Sequence, residues 1–243
     1  MKEAWLIASR ELAAYLKSPL GYIVAAAVLF IDGLLFNAFA LSADNALSSD
    51  VLRAFFYFSS GLVMIASVLL SMRSFAEERQ SGTLILLFTA PIREWQIVLG
   101  KFIAAFLMLV FLVLLSVYLP MLVFVNGRVS AGQIFAGYLG LLALGACTTA
   151  MGVFSSALTR SQLLAAVLSG GIIATFLLTW KLADITSPPI SDALGYLALF
   201  DKHFYPTFTK GLVSATDLFF FAALSFLFLM GTTKVLQARR WVG

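Results

Sequence analysis

The chain has 243 residues, 61% of them hydrophobic and 12% charged, and its mean hydropathy of +0.99 is more than a soluble globular surface sustains. Its formal net charge of +4 is scattered between apolar runs instead of gathered on a basic, aromatic face, which argues against nucleic acid as a partner. The continuity of those runs also argues against an outer-membrane barrel, whose strands would alternate polar and apolar residues.

An all-α integral membrane protein follows. A spanning helix needs about 20 mostly apolar residues, and six runs have that character: 20–41, 51–72, 98–125, 133–158, 162–182 and 216–236. Residues 1–18 precede them. At helical spacing Trp5, Ala8, Leu12, Tyr15 and Leu16 share one face, and Lys2, Glu3, Arg10, Glu11 and Lys17 share the other. This is the pattern of an amphipathic helix lying along a membrane interface. "AFA" at 38–40 resembles a cleavage site, but a flank carrying Glu3 and Glu11 is unlike a leader. Pro19 then opens the first span, where its missing N–H costs little. Inside that span Asp32 is the only charged residue near the middle of any of the six runs. A mid-span carboxylate costs about 2.5–3.5 kcal/mol on insertion scales, so Asp32 is expected to face protein or water. It either lines a pathway between two copies of the chain or bonds to a neighbouring helix.

"SADNALSSD" makes a short outer turn, and residues 73–97 make a long inner connection. Within it, "EERQSGTLILLFTAP" (77–91) is charged at first, breaks at Ser81-Gly82, turns apolar and stops at Pro91. Ser81 or Thr83 is positioned to cap the start of a short helix there. An apolar knob with Glu77, Glu78 and Arg79 on one flank and Arg93 and Glu94 on the other has the shape of a docking site for a protein; the alternative is a plain interfacial loop. "NGRVSAGQ" is a second outer turn and "TRSQ" an inner one. Gly137, Gly140, Gly145, Gly152, Ser169, Gly170 and Gly171 make spans four and five suited to close helix packing. Cys147 is the only cysteine, so no intrachain disulfide forms. Residues 183–215, with a double proline and many aromatics, read as a re-entrant hairpin of two partial outer helices. Non-spanning backbone of this kind must be satisfied by protein or a wet cavity, so the hairpin sits at a cavity's mouth or caps the bundle. Its candidate residues are Tyr196, Phe200, His203 and Phe204, with His203 as a surface or packing residue.

With the N-terminus inside, eleven basic residues fall on the cytoplasmic side and five, Arg53, Arg128, Lys181, Lys202 and Lys210, fall outside, as the positive-inside rule requires. Both termini are then cytoplasmic. No internal repeat or linker divides the chain, so residues 1–243 read as a single domain. Each triplet of spans carries its long connection after its second helix, an inverted layout known in transporters.

The segment "EERQSGTLILLFTAPIREWQIVLGKF" resembles the conserved cytoplasmic segment of ABC-2 type transporter permeases. The likeness extends to the six-span layout, and "KHFYPTFTKGLVSATDLFFF" with "LQARRW" is similar to the gliding-motility branch, beside the permeases of nitrous-oxide-reductase maturation. The resemblance implies a membrane-spanning subunit of an ATP-driven exporter in a bacterial inner membrane. It implies a homodimer served by two copies of an ABC ATPase that binds ATP and Mg, membrane lipid as surroundings, and room for accessory periplasmic proteins. It further implies a cytoplasmic coupling helix between spans two and three, carried on Glu77, Glu78, Gly82, Thr83, Leu86, Leu87 and Pro91. The N-terminal helix, with Trp5, Arg10, Glu11 and Leu12, is the second contact. Many relatives have Glu where this chain has Ile85, which enlarges the apolar docking face.

The G-x-x-x-x-G-K-[ST] phosphate loop is absent from the sequence, and Gly100-Lys101 is the sole Gly-Lys pair. The chain is therefore expected to bind no cofactor or metal and to be no enzyme. An ion-coupled secondary transporter suits the inverted layout, but one intramembrane Asp is thin support for it. An intramembrane protease built on Ser169 lacks a base within the spans.

Overall fold

A computed structural model describes residues 2–41, 48–83, 92–126 and 129–242. Helix α1 (Lys2–Lys17) leads into α2 (Pro19–Leu35), which a π-helical stretch, Phe36–Leu41, prolongs. Then come α3 (Ser48–Ser71), α4 (Arg73–Gln80), α5 (Glu94–Leu115), α6 (Tyr118–Asn126), α7 (Ala131–Leu158) and α8 (Gln162–Ile185). The outer segment holds α9 (Ile190–Tyr196), a π-helical turn at Leu199–Phe204 and a 3-10 turn at Phe208–Lys210, before α10 (Ala215–Val242). Among the described residues six stretches are long and apolar enough to cross a membrane: Gly21–Ala38, Ser48–Gln80, Glu94–Val125, Ala131–Leu158, Gln162–Ile185 and Ala215–Arg239. The first lies within the run 20–41 and each of the others covers one of the runs read from the sequence, and α1 precedes them.

Helix α7 is the hub of the bundle, packed on α3, α5, α8 and α10. Its glycines explain this, since a side chain at Gly137 would collide with the Phe56 ring, at Gly140 with Phe208 and at Gly145 with Leu109. Small residues thus admit large ones, as close helix packing in membranes requires. In α8 the contact is made at Ala165 and Ser169, both fully buried, whereas a Cβ added at Gly170 or Gly171 would meet nothing within 4 Å among the described residues.

The third span is not one rod. It breaks at Ser116-Val117 between α5 and α6, because Pro120 has no N–H to give the Ser116 carbonyl and its ring crowds that turn. The Leu119 amide bonds the Ser116 carbonyl instead (3.1 Å). The outer segment is tucked into the bundle: Leu199, Phe204 and Phe208 are fully buried, with the Phe208 and Phe221 rings 6.4 Å apart.

Candidate functional site

The second span does not stop at the end of its apolar run. α3 passes through a turn at Met72 into the polar α4, which leads to the segment read from the sequence as a candidate docking site. A helix beginning afresh leaves its first amides without partners, and here Ser156 of α7 supplies them. Its hydroxyl oxygen accepts from the Phe75 and Ala76 amides (3.0 Å each) and its hydrogen goes to the Met72 carbonyl (2.8 Å). The stem formed by α4 is thereby riveted to the bundle's central helix.

At its far end α4 closes with Ser81 and Gly82. Gly82 takes φ 73°, the left-handed conformation that terminates helices at small cost only for glycine. The Ser81 hydroxyl donates back to the Glu77 carbonyl (3.0 Å) and meets the Thr83 hydroxyl at 2.8 Å. Ser81 and Thr83 thus help to finish the preceding helix, and the helix whose start the sequence assigned to them falls in 84–91, outside the described residues. Leu86, Leu87 and Pro91, with the rest of 84–91, lie outside the described residues.

Lys101 lies at the centre of the site. It sits in the first turns of α5 and is 2% exposed, and a buried ammonium persists only if paired. Its Nζ donates to Glu78 Oε1 of α4 at 2.7 Å and to Glu11 Oε1 of α1 at 3.2 Å, and it lies 5.3 Å from the centre of the Phe75 ring. One cation thus joins three helices. Glu78 and Glu11 are not a free charged rim: their side chains are 15% and 21% exposed, against 50% for Glu77.

Helix α1 lies on α5 through Ala4, Ile7, Ala8 and Tyr15, all buried. The protein-facing side shares Ala8 and Tyr15 with the apolar face read from the sequence, while Trp5 of that face is 62% exposed and Leu12 partly covered, on the side left open for the membrane interface. Close approach selects the side that meets α5. A Cβ at Gly100 would come within 2.8 Å of the Ala4 carbonyl and of Ile7, so α1 presents its small residues to that glycine and keeps the bulky ones away from the protein. Arg10 is exposed and 3.5 Å from Glu11. The Tyr15 hydroxyl donates to the Leu70 carbonyl at 2.7 Å, and burial pushes its phenol well above the ordinary value. Arg73 lies over the Tyr15 ring at 4.7 Å and pairs with Glu77 at 3.1 Å. Gln96 accepts from the Arg93 amide and donates to Glu3 (2.7 Å), while Arg79 and Arg239 donate to the Thr159 and Leu158 carbonyls where α7 ends. Cations at a helix C-terminus are favourably placed.

Asp32 is elsewhere. It is 4% exposed, accepts from the Ser59 hydroxyl of α3 at 2.6 Å, and lines an internal cavity of about 20 Å3 with Leu109 and Ser116, room for about one water. At the opposite end of the bundle His203 is buried, not at the surface. Its Nδ1 meets Asp217 Oδ1 at 2.8 Å, its Nε2 meets the Tyr196 carbonyl at 2.9 Å, and its ring stacks on Phe220 at 3.8 Å. Sequence reasoning missed Lys101, Asp217 and Ser156. The first two had a visible signal, a charge inside or at the start of an apolar run, whereas nothing local distinguishes Ser156 from other span serines.

A family model described as ABC-2 family transporter protein matches residues 5–198, well over half of the chain, from the first turn of α1 past the end of α9. Comparison with curated proteins finds no match.

Proposed function

Because the chain belongs to the ABC-2 transporter family, we propose that it is the membrane-spanning half of an ATP-driven exporter, working as a homodimer with two copies of a separate ATPase. The observation that carries the reading is the braced stem. α4 extends a span beyond its apolar run, is bonded to α7 through Ser156, and is tied to α1 and α5 through Lys101. A push on the segment after Gly82 is then passed to several spans together, which a plain interfacial loop would not need. The motor is a second chain, since this one has no phosphate-cradling loop. It closes on ATP and Mg, and its movement biases the permease between two arrangements of the spans. The stem, α1 and both termini face the cytoplasm of a bacterial inner membrane, where the excess of basic residues belongs. The gliding-motility branch is the subtype we favour, on the likeness of the C-terminal third.

The test is co-purification with the cell's ATPases. Leu86→Asp is expected to abolish the complex without lowering the permease's own yield. A retained complex, or uptake into vesicles that follows an ion gradient instead of ATP, would overturn the reading.

A further inference from the structure

Two openings at the outer end of α3 share a wall made of Tyr57 and Phe58. The larger, about 430 Å3, lies between α3 and α8 under the π-helical turn, and Trp180 and Phe200 complete its aromatic lining. Its size falls in the range of small-molecule sites. The wall is already assembled, with the Tyr57 ring edge-on to Phe58 at 5.2 Å, to Phe200 at 5.3 Å and to Tyr205 at 5.7 Å.

Two polar side chains reach this lining, Ser60 and Asp201. The Ser60 hydroxyl is spent on the Tyr57 carbonyl at 2.6 Å. Asp201 is the only charged one, and among the described residues it enters no ion pair. Partial burial holds its carboxyl above the usual range, as expected of an acid without a counter-charge. The rings already draw a cation from the chain itself, for the Lys181 ammonium lies 5.5 Å from the Trp180 ring centre. Several ring faces beside an uncompensated carboxylate attract positive charge twice, by quadrupole and by Coulomb attraction.

We propose that this opening is a binding site for an organic cation, a substituted ammonium attached to an apolar body. The head sits against Tyr57, Trp180 and Asp201 and the body lies along Leu177 and Leu178. A belt of aromatics serving only lipid would have no use for the carboxylate. The proposal asks nothing of the ATPase, so binding to the permease alone tests it separately from the exporter reading.

The experiment is calorimetric titration of the full-length permease in a neutral maltoside detergent. The probes are phenylbutyltrimethylammonium and its uncharged isostere, in which tert-butyl replaces the trimethylammonium head. The cation is expected to bind saturably at one site per chain, and the isostere about tenfold more weakly. Asp201→Asn is expected to weaken the cation by about tenfold while leaving the isostere unchanged. Tyr57→Leu weakens the cation, Tyr57→Phe retains it, and Asp50→Asn, on the smaller opening, changes nothing. Asp201 is only partly buried, so its variant keeps the parent's elution profile and melting point. Equal binding of the two probes, an indifferent Asp201→Asn, or saturable binding of neither would overturn the site.

Discussion

Lys101→Met keeps the length of the side chain and removes the charge that three helices share. In the parent the ammonium is 2% exposed, and the two carboxylates it bridges are 21% and 15% exposed. Among the described residues Glu78 Oε2 is already buried without a hydrogen-bond partner, so the loss leaves Glu78 with neither oxygen paired to any of them. Glu11 keeps, among the same residues, Arg10, which is 66% exposed and 3.5 Å away. Removing one member of a buried ion pair costs about 3–5 kcal/mol. Both carboxylates retain some water, which places the expected loss at the lower end, about 3 kcal/mol, or about a hundredfold in the folding equilibrium. Denaturation of the purified permease in mixed micelles measures it, and trypsin cleavage at Arg10 and Lys17 reports whether α1 has come loose. Lys101→Met combined with Glu78→Gln is expected to recover most of the loss, since that pair leaves one fewer uncompensated charge. A single variant as stable and as protected as the parent, or a double variant no better than the single, would refute the bridging role.

Ser156→Ala strands the Phe75 and Ala76 amides and should cost about 1–3 kcal/mol, read in the same denaturation assay, with hydrogen exchange rising at those two amides. Gly100→Ala places a methyl within 2.8 Å of Ala4 and Ile7, and is expected to lose about 1–3 kcal/mol through overpacking and to expose α1 to trypsin without any change of charge. His203→Phe preserves the stacking on Phe220 but leaves Asp217, whose Oδ2 already lacks a partner among the described residues, with no hydrogen bond from the histidine. About 2–3 kcal/mol of stability should go, and His203→Phe with Asp217→Leu should restore part of it.

Helix number and span positions were readable from the sequence because continuous hydrophobicity over a bilayer's thickness is a local property. The α5–α6 break was nearly readable, since Pro120 announces itself, yet an apolar run of this length hides it until the Ser116 carbonyl is seen bonded to Leu119. The side of α1 that packs on α5 was readable only in part, at Ala8 and Tyr15. Amphipathicity ranks residues by polarity, whereas the contact with α5 was decided by steric room at Gly100, ninety-odd residues away in the chain. Lys101 escaped for a related reason: its burial depends on Glu11 and Glu78, and neither is close to it in sequence. Glu77 and Glu78, both expected to dock a partner, carry equal weight in the motif, and only their surroundings separate the exposed one from the buried one.

The continuity of α3 with α4 has a mechanical consequence. With the Ser156 contact at Met72 as fulcrum, the inner arm of 8 residues is about 12 Å long and the outer arm of 24 residues about 36 Å, at 1.5 Å per residue. Were the two helices to pivot as one rod about that contact, a sideways displacement at the inner tip would be amplified about threefold at the far end of α3, with the sense of motion reversed. Tyr57 and Phe58 lie on that longer arm, so the aromatic wall would swing with it.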